Sequence, residues 1–298
     1  MPHIARHPNG MPLSESVMTK LGRAKVHSDE LDRLMQDWVR TQTRTMHLAS
    51  DDYLEHTLRV IVDMPPRIVW WSAVVGDAIH NLRSALDIWM WELVVSKNEN
   101  VAPTDKNIYF PTCMTGRAFR NWKQDTGRYL PEPLIEYLRS IQPYVDSANN
   151  FWIKLLHELD IMDKHKQLLD VKMSTSGADD INVDIAEKGT QISGNVWNLD
   201  ATAGGDLATF RFNKRPNSVD MAGTVDWHLR VEMDGNPIGL LGIIRRLVEG
   251  VGHIMMTADH VMDCVAAGEI VELPTVSYRS VSAADHARVA SMPGARPT

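Results

Sequence analysis

Two strings in this chain gather side chains able to move protons. The first, HNLRSALD over residues 80–87, follows Asp77. Asp77, His80, Ser84 and Asp87 recur at helical steps, so a helix sets them on one face. Arg83 precedes Asp87 by one helical turn and can pair with it. The second string, HELDIMDKHK over 157–166, places His157, Asp160 and Lys164 on a shared face, with Asp163 beside them and His165 following. Histidine changes charge near neutral pH without extreme tuning, so His80, His157 or His165 suits a general acid or base. Arg83 has the fork for a phosphate or carboxylate, Lys164 can hold a phosphate, and Asp77 or Asp87 can orient a ring nitrogen. The candidate catalytic set is therefore His80, Arg83, Asp87, His157, Asp160 and His165. The boldest assignment gives the chemistry to His80 and His157, with Arg83 on an anion.

His80, Asp77, His157 and Asp160 are also metal donors by type. No HExxH, HxxEH or HD string organises them, so neither a metal nor another cofactor is expected. A second reading stays open beside the catalytic one. Arg83–Asp87 and Asp160–Lys164 can be pairs in a polar seam between helices, worth a few tenths of a kcal/mol each if exposed.

Helices must carry both strings. Trp71, Val75, Ile79, Leu82, Leu86, Trp89 and Leu93 form an apolar stripe that predicts a helix over about 67–96, begun after Pro65-Pro66. Asn149 or Asn150 can cap the helix that starts at Phe151. Polar groups set in such apolar helices are costly unless mutually satisfied, so the two strings are expected to meet. A first helix from near Ser14 is expected to break at Ser28-Asp29-Glu30, which has the chemistry of a capping start. Residues 57–63 alternate like a short strand, 109–126 look irregular with Phe119 and Trp122 as anchors, and PEPLIEYLRSIQP holds a short helix.

From Leu169 the period changes. Strands are expected at 169–173, 181–185, 191–196, 207–212 and 225–231, with turn-type residues between them and no room for crossover helices. A last helix runs over about 238–266. The fold class is therefore α+β: long helices forming a core over 13–166 and 238–267, with an attached or inserted antiparallel sheet over 167–236, as one domain over 13–273. Residues 1–12 read as a flexible lead-in, and 274–298 as a disordered tail.

The composition bounds the class of function. The chain has 298 residues, 44% of them hydrophobic and 23% charged, which is a folding composition. Its formal net charge of −7 is spread without a basic stripe, which disfavours duplex DNA and leaves only a local basic pocket for single-stranded RNA. Two cysteines, Cys113 and Cys264, exclude a disulfide scaffold. No run of 18 apolar residues predicts a membrane span, and no apolar segment follows MPHIARHPNG, so the cytoplasm is the default. No nucleotide-binding glycine loop and no GxSxG elbow is present. The first expectation is a protein-binding or self-associating module, a homodimer or a complex with a protein partner. The alternative is a metal-independent hydrolase, with RNA as substrate.

IHNLRSALDIWMWELV (79–94), YFP (109–111) and LLHELDIMDKHKQLL (155–169) resemble a family of uncharacterised bacterial and phage-borne proteins, whose helices read roughly HNLRSALDHL and ELDxxDKHR. The resemblance covers about residues 57–172 and implies a relationship, in a phage or stress context, rather than an activity. The chain departs from it at Ile88, where a histidine follows Asp87 in the family, and at Lys166, which replaces an arginine and loses its fork. It is more loosely similar to HEPN-type helical domains, many of them metal-independent RNases with an Arg-x(4–6)-His motif. That similarity points to Arg246 and His253 on the last helix, while Arg40/His47 and Arg279/His286 share the spacing. A chain this rich in arginine and histidine supplies such pairs by chance.

Overall fold

The computed structural model describes residues 14–98, 107–165, 169–175, 180–185, 192–197, 199, 204–233 and 236–271. The lead-in over 1–12 and the tail over 274–298 lie outside these residues. The protein is α+β, with long helices and antiparallel strands. Helices α1 (Glu15–Gln42), α2 (Ile68–Lys97), α3 (Gly116–Asp125), α4 (Glu132–Ser140), α5 (Phe151–His165) and α6 (Leu240–Ala267) are accompanied by β1 (Thr43–Ala49), β2 (Glu55–Val62), β3 (Val171–Thr175), β4 (Asp180–Ile185), β5 (Ile192–Val196), β6 (Gly205–Phe212), β7 (Val219–Thr224), β8 (Trp227–Met233) and β9 (Asn236–Gly239). Two compact units share them. The first takes its described residues from Met1–Ala24, Ile79–Lys164 and Leu247–Thr298, and the second from Lys25–Ala78 and His165–Arg246.

The first unit is helical. Ile79, Leu82, Leu86, Met90 and Val94 of α2 are buried, as are Leu155, Leu156 and Leu159 of α5 and Val251, Ile254, Met255 and Ala258 of α6. The stretch expected to be irregular contains α3, capped by Thr115, whose hydroxyl accepts from Ala118 N at 3.2 Å. Phe119 and Trp122 are its buried anchors, with ring centroids 5.2 Å apart. The hydroxyl of Tyr137 on α4 donates to the carbonyl of Ile254 on α6 at 3.4 Å.

The second unit carries the strands, all paired antiparallel, in the orders β1-β2-β6-β5, β3-β8-β9 and β4-β7. Strand pairing starts earlier than the sequence suggests. β1 lies at the edge of the sheet and β2 pairs with β6, so residues 43–62 belong with strands from the second half of the chain. In β8 the side chains of Trp227, Leu229, Val231 and Met233 face inward and alternate with half-buried or exposed ones, the signature of a half-covered strand. Trp38 stands edge-on to Trp71 and Trp227 at 6.3 and 5.2 Å, and its indole N–H donates to the carbonyl of Met64 at 2.8 Å. Between β5 and β6, Gly204 has φ +67 and lies so close to β2 that a Cβ would come 2.4 Å from the carbonyl oxygen of Val60, so only glycine fits. The expected break in α1 does not occur. Ser28 falls on the buried stripe of Ala24, Leu31 and Trp38, and the apolar face carries the helix through the capping signal.

A histidine pair ties β1 to β2. Nε2 of the buried His56 lies 3.1 Å from the Tyr53 carbonyl, which can only accept, so this nitrogen carries the proton. Nδ1 of His56 is then the acceptor of the 2.8 Å bond from Nε2–H of His47. Burial pushes the His47 ring below the usual histidine range; His56 adds to the effect and Asp220 opposes it. A histidine pKa lowered on folding contributes stability that is present above the unfolded value and is lost as pH falls through the folded one. The melting temperature of the wild type is therefore expected to fall as pH drops from 7 through 6. A His47→Asn variant should show a shallower fall, read by thermal melts across that range.

Candidate functional site

Within the helical unit, α2 and α5 bring the two strings together. Nδ1 of His80 lies 3.5 Å from Oδ1 of Asp160. Asp160 is only 5% exposed, whereas the His80 side chain is 46% exposed. Lys164, one turn on along α5, donates to the other carboxylate oxygen, Oδ2, at 2.8 Å. Oδ1 has no hydrogen-bond partner among the described residues, so the face turned toward His80 is a buried acceptor short of a donor. On the opposite side of the His80 ring, Nε2 is 3.4 Å from Oγ of Ser84. His80 thus spans a buried carboxylate and a partly exposed hydroxyl.

His157 precedes Asp160 on α5 by almost one turn and is half-buried. Burial pushes its ring below the ordinary histidine range. The charge of Arg83 pushes the same way, Asp160 and Asp87 pull back, and Lys164 adds a smaller push. At neutral pH His157 is therefore a neutral imidazole with a lone pair to offer.

Arg83 does something other than hold an anion. Its Nε and Nη2 donate to the two oxygens of Asp87 at 3.1 and 2.9 Å. Nη2 also donates to the carbonyl of Phe110 at 2.8 Å, and Nη1 donates to Oγ1 of Thr112 at 2.8 Å. Asp87 in turn accepts from the backbone N–H of Phe110 at 3.0 Å. Four of the five guanidinium N–H groups are committed, and the residue is 8% exposed. Arg83 and Asp87 form a clamp that fixes the segment 107–113 against α2. Their effect on the site is electrostatic, through His157.

The chain matches no protein-family model, no curated protein and no solved structure.

The side chain of His165 lies outside the described residues. Arg246 is exposed on α6, and His253 on the same helix has its Nε2 3.3 Å from the Thr257 hydroxyl. Arg40 is paired with Asp37 at 2.9 Å, while His47 is bound to His56. Arg279 and His286 lie outside the described residues. Cys113 is buried and its thiol is pushed up to about 11, which keeps it protonated and unreactive. Among the described residues, no group of three or more His, Cys, Asp or Glu is placed to hold a metal ion. No helix among them is long and apolar enough to cross a membrane.

Spacing in the sequence pointed to the meeting of the two strings, seen where His80 approaches Asp160 at 3.5 Å, and to the Asp160–Lys164 pair. It missed Thr112 and the backbone of Phe110 as partners of Arg83. The only signal for them was the YFP string at 109–111.

Proposed function

We propose that the α2–α5 cluster is a metal-independent acid–base site, with a phosphodiester of single-stranded RNA as the substrate class. The observation that carries this reading is the buried Asp160 carboxylate with a free acceptor turned toward the exposed His80. A carboxylate so placed fixes the ring by Nδ1 and leaves Nε2 on the side of the partly exposed Ser84 hydroxyl. His157, neutral at pH 7, is the base that takes a proton from a ribose 2′-hydroxyl. The O2′–P bond forms as the P–O5′ bond breaks, and the leaving O5′ receives a proton from His80. Lys164 has two ammonium protons left over from its bond to Asp160, and these suit the non-bridging phosphate oxygens. With a net charge of −7 and no basic stripe, the protein engages a short single-stranded segment at this cluster rather than a long duplex.

The test is to incubate purified wild-type protein with labelled RNA and a panel of simple phosphoesters, with and without EDTA. RNA cleavage that survives EDTA is expected, leaving a 2′,3′-cyclic phosphate end. Loss of activity on chelation, or activity confined to the phosphoesters, would contradict the proposal.

A second reading has its own observation. In the other unit Val69, Trp70 and Met64 are 73%, 59% and 55% exposed. An exposed tryptophan beside aliphatic neighbours is the composition of a protein-contact hot spot, which fits self-association or a protein partner. Sedimentation of wild type and Trp70→Glu checks the self-association arm. A dimer that the substitution converts to monomer supports it, and a wild type that stays monomeric at high concentration removes it.

A further inference from the structure

In the strand-bearing unit, β8 is the middle strand of the β3-β8-β9 sheet, and Arg230 points to the face opposite the buried Trp227, Leu229, Val231 and Met233. Its direct neighbour on β3 is Lys172, and its direct neighbour on β9 is Gly239. Among the described residues, no hydrogen bond, ion pair or ring contact engages the Arg230 side chain. This sets it apart from Arg83, Arg59, Arg211 and Arg245, each held by a carboxylate. Arg230 is half-buried, and burial alone lowers its pKa, with no neighbouring charge opposing the shift.

Among the described residues, no carboxylate pairs with that charge. Like charges directly opposite each other on paired strands repel, and Lys172 is such a neighbour. Glu232 shares the face but leans to Lys172 at 3.5 Å, and Asp170 also lies toward Lys172 at 3.8 Å. His228, on the same face, is paired with Asp226 at 3.2 Å. On the other flank, a Cβ built at Gly239 would meet nothing within 4 Å among the described residues, so there is open space directly beside Gly239.

We propose that Arg230 is an oxyanion-binding site, taking the two-oxygen edge of a phosphate or carboxylate in the open space beside Gly239, with Lys172 as the second cation. A guanidinium presents paired donors that match such an edge, and a partly desolvated one gains more from the match than an exposed one. The anion would compensate the partly desolvated charge of Arg230.

The experiment follows the Arg230 Nε–H resonance of the intact protein during titration with inorganic phosphate, and separately with acetate, at ionic strength held constant with chloride. Thermal melts run in parallel. A saturable shift of that resonance with either anion is expected, together with a rise in melting temperature. Arg230→Lys should weaken binding roughly tenfold, the scale of one lost charge-assisted hydrogen bond. Arg230→Met keeps most of the apolar stem and should abolish the anion-specific rise. Saturation by phosphate alone or by acetate alone identifies which oxyanion the site takes. A linear, non-saturating response to both, or an equal rise in Arg230→Met, would overturn the proposal. If Arg230→Met does not fold, the wild-type resonance and Arg230→Lys still decide it.

Discussion

Replacing Arg83 by alanine should destabilise the protein by about 3–5 kcal/mol, the cost of removing one partner from a buried charged network. The truncation leaves the Phe110 carbonyl, the Thr112 hydroxyl and the Asp87 carboxylate without their shared donor. It also removes the cation 6.0 Å above the Phe110 ring and opens a cavity beside that fully buried side chain. Arg83→Lys should recover only a small part of the loss, because an ammonium cannot span Asp87, Phe110 and Thr112 at once. Denaturant titrations of the two variants measure this, with the midpoint moving and the slope unchanged. A loss below about 1 kcal/mol in Arg83→Ala would show that the clamp is not structural. In variants that remain folded, loss of the Arg83 charge should raise the His157 pKa, since that charge is among the causes that lower it.

The clamp also shows where a sequence stops being legible. HNLRSALD revealed the Arg83–Asp87 pair by spacing, but spacing within one helix says nothing of an extended segment that crosses it. Phe110 and Thr112 reach Arg83 across more than 20 residues of chain, so no periodic signal links them. The long helices were readable because α2, α5 and α6 carry apolar stripes at helical spacing. α3 was missed because only Phe119 and Trp122 of its ten residues are buried, too few to show a period. β1 was missed for a related reason. It is an edge strand with no fully buried residue, so nothing forces its sequence to alternate. Ser28 misled because a good capping residue inside a continuous apolar stripe does not end a helix. The meeting of His80 with Asp160 was readable, since two polar strings in apolar helices need each other. The deep burial of Asp160 beside an exposed His80 was not, because burial depends on every element packed around α5.

The second large effect concerns catalysis. Removing His157 as the base, or His80 as the acid, should each lower RNA cleavage by roughly 10²–10⁴-fold, the usual contribution of one positioned proton-transfer group. The two losses should not multiply in the double variant, because both groups act in one proton-transfer step. Asp160→Asn keeps the shape but removes the carboxylate charge beside Nδ1 of His80, so it should impair the acid step, and it should also lower the His157 pKa further, since that charge is among the causes that raise it. The acid limb of the rate profile should report His157, whose pKa lies below the ordinary histidine range. The midpoint of that limb should therefore lie below 6.5, the value of an unperturbed histidine.

The most direct measurement is EDTA-resistant cleavage of labelled RNA by wild type, His80→Ala, His157→Ala and His253→Ala side by side, each first shown to be folded by its thermal melt. Cleavage by wild type and His253→Ala is expected, with its loss in His80→Ala and His157→Ala. Cleavage lost only in His253→Ala, or absent from every preparation including wild type, would contradict the proposal.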